Sequence, residues 1–365
     1  MTSYNREKLI NYFKSNLCML PTGYTATETN RMTLAFLCLG ALTLLGELEN
    51  NITEQNRLDW IDWVYAQQLH PTENDDANDA VCGFRGSSWS GRSFDPHATT
   101  CSHVPYDSGH VANTYTALIN LLLLGDDLSR VNRKAITNTL RHLQQQDGSI
   151  APTVGSLERD VRFIYCACAI SYILNDWSGI DRERTLDYII QLQSYEYAFA
   201  QCPKQEAHGG STFCGTAALS IMGNLDEGIL NKDQLVQWCL FRQIGGFQGR
   251  PNKLQDVCYG FWIGASLAML DSFHLVNYDA LKEFLLQSES HVGGFAKDPE
   301  SFPGNINTHK IYGDIYINID VLHSYMGVAI LSLMNEPNVQ PIHAALNMPL
   351  SAYKHLKENT IFWKQ

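Results

Sequence analysis

The chain is short of positive charge and has no long apolar run. Its 26 Lys and Arg stand against 38 Asp and Glu, a net charge of −12. The broad basic surface that nonspecific nucleic-acid binding needs is therefore missing, and no nucleic acid is expected as a partner. The most apolar stretches, residues 34–45 and 117–124, fall short of the ~20 residues that span a bilayer. Residues 1–8 lack the apolar core of a signal peptide. Without such a signal, ten cysteines suit a reducing compartment, with thiols buried or metal-bound rather than paired. A cytoplasmic protein with no transmembrane segment is expected. At 45% hydrophobic and 18% charged residues the composition is globular, and 365 residues suffice for two ordinary domains or one large closed architecture.

What the chain does have is an internal repeat. Windows 107–121, 160–174, 208–222, 256–270 and 320–334 align without gaps, their starts 53, 48, 48 and 64 residues apart, and 28–42 is a weaker sixth copy. Each opens on polar or glycine-rich residues and continues almost wholly apolar. The tenth residue is alanine in four copies: Ala169, Ala217, Ala265 and Ala329. Helices apolar all round must be buried on every side. Between them lie amphipathic segments at 57–70, 131–146, 181–194, 231–243 and 278–289, with glycine turns ahead of several windows (Gly83, Gly148, Gly245–Gly246, Gly293–Gly294). A repeat of this length signals a solenoid or a closed array. An open helical solenoid needs a more polar concave face, so the reading is all-α, an α/α barrel of six outer–inner helix pairs in a single domain over residues 1–365. The inner helices then all start at one mouth, where their N-termini favour anions.

The polar first residues of the windows fall at that mouth. Asp256 and Cys258, two apart, converge only at a first helical turn, and His323 opens the window at 320. Asp, Cys and His are zinc-ligand types, and three protein ligands leave one position open. Taken singly, the Asp is an N-cap, the Cys a small buried hydrophobe and the His a hydrogen-bonded core residue; the shared frame argues for the set. Arg162, Tyr165, His208, Arg250, Lys253 and Tyr259 would form an anion clamp beside it, the alternative for Arg162 and Arg250 being pairing with acidic caps. Phe163, Phe213, Phe261, Trp262 and Tyr325 would line an aromatic funnel below. The run Asp75, Asp76, Asp79 has the form of a magnesium-binding DDxxD motif, but it lies in a polar loop with no second acidic helix and reads as a solvated loop.

Residues 249–262, with Glu206 to Gly215 and Asp160 to Cys166, resemble the β subunits of protein prenyltransferases, and the resemblance runs from about Leu20 onward. Among the three classes, residues 82–88 and 124–132 are most similar to type I geranylgeranyltransferase. The resemblance implies a catalytic zinc on Asp256, Cys258 and His323, an obligate helical α subunit, and diphosphate contacts at His208, Arg250, Lys253 and Tyr259. It implies a pocket long enough for a fourth isoprene unit, because Thr33 stands where farnesyltransferases carry Trp. Lys297 stands where magnesium-dependent relatives carry Asp, which implies that Mg2+ is not required. Leu322 also resembles this class. His110, Ala112, Asn113 and Phe163 fall on the walls of the protein-substrate site, although Leu37 and Asn113 depart from the Phe and Met expected there. An insertion at 300–316 separates Lys297 from His323. The implied reaction joins geranylgeranyl diphosphate to the cysteine of a C-terminal CaaX motif. A farnesyl or Rab-type transferase, a terpene cyclase on a related barrel and a non-catalytic scaffold are the alternatives.

Overall fold

The computed structural model describes residues 4–88, 91–301 and 320–364. Among the described residues, six outer–inner helix pairs follow one another. They are α1 (Arg6–Cys18) with α2 (Arg31–Leu44), α3 (Glu54–Tyr65) with α4 (Val111–Leu123), and α5 (Arg133–Leu143) with α6 (Val161–Ile173). Then come α7 (Arg182–Gln191) with α8 (Gly209–Met222), α9 (Lys232–Leu240) with α10 (Val257–Met269), and α11 (Tyr278–Gln287) with α12 (Val321–Leu333). Each inner helix packs on the next, and α12 packs back on α2. The ring is closed, which is how helices with no polar face find burial on every side. No helix among the described residues is long and apolar enough to cross a membrane.

Short antiparallel hairpins, not simple turns, lead from outer to inner helices. Gln68–Leu69 pairs with Gly83–Phe84, and later copies are single bridges such as Gln144 with Ile150 and Glu289 with Phe295. Gly148 lies at a positive φ of 91°, and a Cβ there would meet the Arg184 carbonyl oxygen at 2.1 Å, so only glycine fits the turn.

The hairpins also stitch the ring. The first free amides of five inner helices each donate to a carbonyl in the following repeat: Met32 to Gly86, Val111 to Pro152, Val161 to Gln201, Gly209 to Gly249 and Val257 to Lys297, at 2.7–3.1 Å. These are orphan donors of helix starts, satisfied by tertiary structure. The sixth helix, α12, has no repeat after it; the Val321 N–H donates instead to the Tyr24 hydroxyl at 2.8 Å.

The structure shifts two windows. The second repeat's helix is capped by His110, whose Nδ1 accepts the Ala112 N–H, and not by Asp107. Asp107 is buried against Arg92 (2.7 Å) and Arg85 (3.6 Å). The weak copy at 28–42 likewise starts its α-helix at Arg31. Counted from Arg31, its tenth residue is Gly40, where a Cβ would lie 3.0 Å from the Tyr325 ring, so the small-residue position extends to this repeat.

Two further elements complete the fold. Helix α1 is the sixth outer helix, and its start packs on the last hairpin, where Asn5 N–H donates to Glu289. At the other end of the barrel, the hairpin Ile342–His343/Met348–Pro349 and helix α13 (Leu350–Asn359) cover the C-terminal ends of the inner helices. The buried hydroxyls of Tyr115 and Tyr325 donate to the Leu346 and Asn347 carbonyls there, at 2.9 and 3.0 Å. The barrel is thus closed at that end. From residue 302 on, the insertion expected at 300–316 lies outside the described residues.

Candidate functional site

The chemistry-bearing residues gather where the inner helices begin. Asp256 is the N-cap of α10, its Oδ1 accepting the Cys258 N–H at 2.9 Å, so one residue both caps the helix and faces the mouth. Asp320 does the same for α12, accepting the His323 N–H at 2.8 Å. Its other oxygen takes His323 Nδ1 at 2.6 Å, leaving Nε2 directed to Asp256 Oδ1 at 3.2 Å. The ligand atoms of Asp256, Cys258 and His323 all lie within 4.8 Å of one another. A carboxylate, a thiol and an imidazole whose second nitrogen is held by a carboxylate form a donor set that fits a tetrahedral metal with one open position.

Burial pushes the Cys258 thiol up to about 12. Burial also acts to raise Asp256, but its hydrogen bonds with His323 and Cys258 outweigh this and hold the carboxyl below its usual range. Burial opposes the His323 charge as well, yet the bonds to Asp256 and Asp320 lift the imidazole to about 12. The three groups thus balance as carboxylate, imidazolium and thiol. A divalent cation would replace the protons of His323 and Cys258, as metal sites of this donor type require.

Beside this set, His208 caps α8 with Nδ1, accepting the Gly210 N–H at 3.1 Å. That leaves the ring proton on Nε2, which donates to the Tyr259 hydroxyl at 2.7 Å. The Tyr259 O–H hydrogen is then free for an acceptor in the mouth. Burial, followed by the nearby Arg250 cation, keeps His208 below its ordinary value and hence neutral. Gly249 permits this arrangement, because a Cβ there would fall 2.2 Å from the Tyr259 ring. Lys297 stays at the site despite the long connection after it: its carbonyl takes the Val257 N–H at 2.8 Å, and its Nζ lies 3.9 Å from Asp256 Oδ2. Lys253 is exposed on the same rim.

Three members of the expected clamp are placed differently. Arg162 is held by Asp160 at 2.6 Å and Glu158 at 2.8 Å, and Arg250 by Glu206 at 2.8 Å, so neither guanidinium is an unpaired anion site. Tyr165 is not at the mouth. It sits a turn deeper, its hydroxyl 3.0 Å from that of Tyr115, because α6 turns this side chain into the barrel. There it belongs to a continuous aromatic wall. Phe213 meets Tyr165 (5.3 Å), Phe261 (5.6 Å) and Trp262 (4.8 Å), while Phe36 meets Tyr115 (6.2 Å) and Tyr325 (5.2 Å) between ring centres. Thr33 lies one turn above Phe36 on the same face of α2.

His110 and Phe163 stack edge to face at 6.0 Å, Ala112 and Asn113 begin the neighbouring helix, and Leu322 is 40% exposed beside His323. The run Asp75, Asp76, Asp79 is a loop in which Asp75 accepts the Ala77 N–H, as a turn residue does.

Asp320, Glu206 and Gly249 also belong to the site. Asp320 was marked by its place, opening its window as Asp256 does; Glu206 and Gly249 carry no signal that spacing could reveal.

The sequence model described as "Prenyltransferase alpha-alpha toroid domain" matches residues 4–348. The chain belongs to that family. Its match begins at residue 4, so the family's pattern includes α1, ahead of the Leu20 boundary read from motifs. The chain is 41% identical to geranylgeranyl transferase type-1 subunit beta of Dictyostelium discoideum, over 94% of this chain and 95% of that protein. It is 35% identical to the Arabidopsis thaliana protein of the same name, over 96% and 90%. Candida albicans protein geranylgeranyltransferase-I, solved with GGPP, shares the fold with a TM-score of 0.82 at 24% identity, covering 100% of both chains.

Proposed function

We propose that the chain is the catalytic β subunit of a zinc-dependent protein geranylgeranyltransferase of type I, a cytoplasmic enzyme paired with an α subunit. It would transfer the geranylgeranyl group of geranylgeranyl diphosphate to the cysteine of a C-terminal CaaX motif, with X typically Leu. The observation that carries this reading is the meeting of Asp256, Cys258 and His323 at a mouth that also holds the His208–Tyr259 pair and Lys297, above an aromatic wall. Relatives named for this activity, aligned over nearly their whole length, support it.

Asp256, Cys258 and His323 would hold the zinc ion. Zinc in such a site supplies an open position at which a thiol, with a free pKa of about 8.5, ionises near neutral pH. The deprotonated sulfur then bonds to C1 of the isoprenoid as the C1–O bond breaks, and the diphosphate leaves with the electron pair. Tyr259, oriented by His208, donates a hydrogen bond to that diphosphate, and Lys297, Lys253 and Arg250 bring positive charge to it. Arg250 must share its charge with Glu206 to do so. Trp262, backed by the buried rings of Phe213 and Phe261, would present an apolar wall to the isoprenoid chain, and Thr33 would leave room for its last unit. No general base is required of the protein, since catalysis rests on position and electrostatics. Lys297 offers a fixed cation where a magnesium ion would otherwise serve. The chain would be a single prenyltransferase domain, as the family match over residues 4–348 supports.

The test is prenyl transfer by the purified heterodimer to a CaaX peptide, with the two diphosphates competing, with and without Mg2+, alongside metal analysis. Geranylgeranyl transfer without Mg2+ and one zinc per dimer are expected, with metal lost in Cys258→Ala. Strict farnesyl preference or a magnesium requirement would overturn the class, and absence of stoichiometric zinc the mechanism.

A further inference from the structure

The closure of the ring bears on the metal site. In five inner helices the first free N–H is taken by a main-chain carbonyl of the next repeat, an acceptor that no substitution removes. Helix α12 ends the series, and its Val321 N–H rests on a side chain, the Tyr24 hydroxyl, at 2.8 Å. Asp320, the N-cap, is already engaged elsewhere: its two carboxylate oxygens accept the main-chain N–H and Nδ1 of His323. Tyr24 belongs to the short 3-10 segment Thr22–Asn30 between α1 and α2, a segment otherwise largely exposed, and its own ring packs on the core.

We infer that Tyr24 is a positioning residue for the candidate metal centre: by holding the start of α12 it places His323 opposite Asp256 and Cys258. This inference rests on the metal-site reading above. His323 follows Val321 by two residues, within the same first turn, so movement of that amide moves Nε2. Asp256 and Cys258 stand on α10, whose start is held independently by the Lys297 carbonyl. Metal–ligand distances tolerate only about ±0.2 Å, so a small displacement of one helix start against the other is felt by the metal before it is felt by the fold.

Tyr24→Phe keeps the packed ring and removes the hydroxyl, and with it the acceptor of the Val321 N–H and the contact with the Tyr12 side chain. In the purified heterodimer, metal affinity is read by chelator competition with Zn2+ and Co2+, and Co2+ absorption reports coordination geometry. Affinity roughly tenfold weaker than wild type is expected, as for loss of an outer contact to a metal ligand, together with an altered Co2+ spectrum. Thr114→Val is the control. It removes a like hydroxyl, the acceptor of the Phe84 N–H at 3.0 Å, from the second repeat. It should lower thermal stability comparably and leave metal affinity unchanged. Wild-type affinity in Tyr24→Phe, or equal weakening in Thr114→Val, overturns the inference. Absence of stoichiometric metal from the wild type overturns the site reading, and the inference with it.

Discussion

Gly249→Ala is a one-carbon change with a consequence that can be worked through. The new Cβ would lie 2.2 Å from Tyr259 Cζ, 2.5 Å from Cε2 and 2.6 Å from the hydroxyl oxygen. Carbon atoms pack at about 3.5–4.0 Å, so the ring must retreat by more than about 1 Å. The His208–Tyr259 hydrogen bond, 2.7 Å long, does not survive such a shift unless His208 follows. His208 is bound to its own helix start through Gly210 N–H, so it stays. The mouth then loses an aimed donor to the diphosphate. A hydrogen bond to a charged group contributes about 1.5–3 kcal/mol, which corresponds to roughly 10–100-fold weaker binding. The assay is titration of the heterodimer with geranylgeranyl diphosphate, followed by quenching of tryptophan fluorescence, with Trp262 on the adjoining wall. In a Tyr259→Ala background the obstacle is gone, and Gly249→Ala should change affinity by less than about twofold, since non-additivity marks direct contact. Affinity of Gly249→Ala within threefold of wild type, or the same penalty in both backgrounds, would refute the reasoning.

Further outcomes are expected at three other positions. Lys297→Asp places a second carboxylate beside Asp256, now 3.9 Å from the lysine Nζ; transfer without Mg2+ should fall at least roughly tenfold and recover with millimolar Mg2+, read as initial rate against Mg2+ concentration. Thr33→Trp, one turn above Phe36, should shift the ratio of farnesyl to geranylgeranyl transfer by roughly tenfold or more toward the shorter chain, in a competition assay. His70 is buried, which lowers it to about 4 despite the opposing charge of Asp95. An unfolded chain takes up this proton near pH 6.5 and the folded one only near 4, so the stabilisation is complete above 6.5 and drains away as pH falls to 4. Between pH 7 and pH 5 the loss is about 2 kcal/mol, and urea unfolding of His70→Gln should show an acid slope reduced by that amount.

The inner helices were legible because their composition has one physical solution. A segment that is apolar all round is buried all round, and six such segments close a ring; the structure has α12 against α2 as that reasoning requires. The frame was less secure where polar residues compete. Asp107 opens its window, but two arginines claim it and His110 caps the helix. Helix α1 is hard to read from its sequence because Arg6 to Cys18 buries only Leu9, Phe13 and Asn16 and so carries a weak stripe. Arg162 and Arg250 each have acidic partners, the stated alternative to an open clamp, because a cation's counter-ion is chosen by proximity in space. For Arg250 that is Glu206, 44 residues away.

Periodicity along the chain thus settles which helices line the barrel, which end collects their N-termini, and which residues stand in the first turns there. It does so because burial and capping act locally and repeat with the sequence. Distances between repeats are another matter. That Tyr165 turns inward to Tyr115, that Gly249 lies under Tyr259, and that Tyr24 stands in for a seventh repeat are consequences of closing the ring. Closure brings the first segment against the last, and no local signal records which side chain will be waiting there.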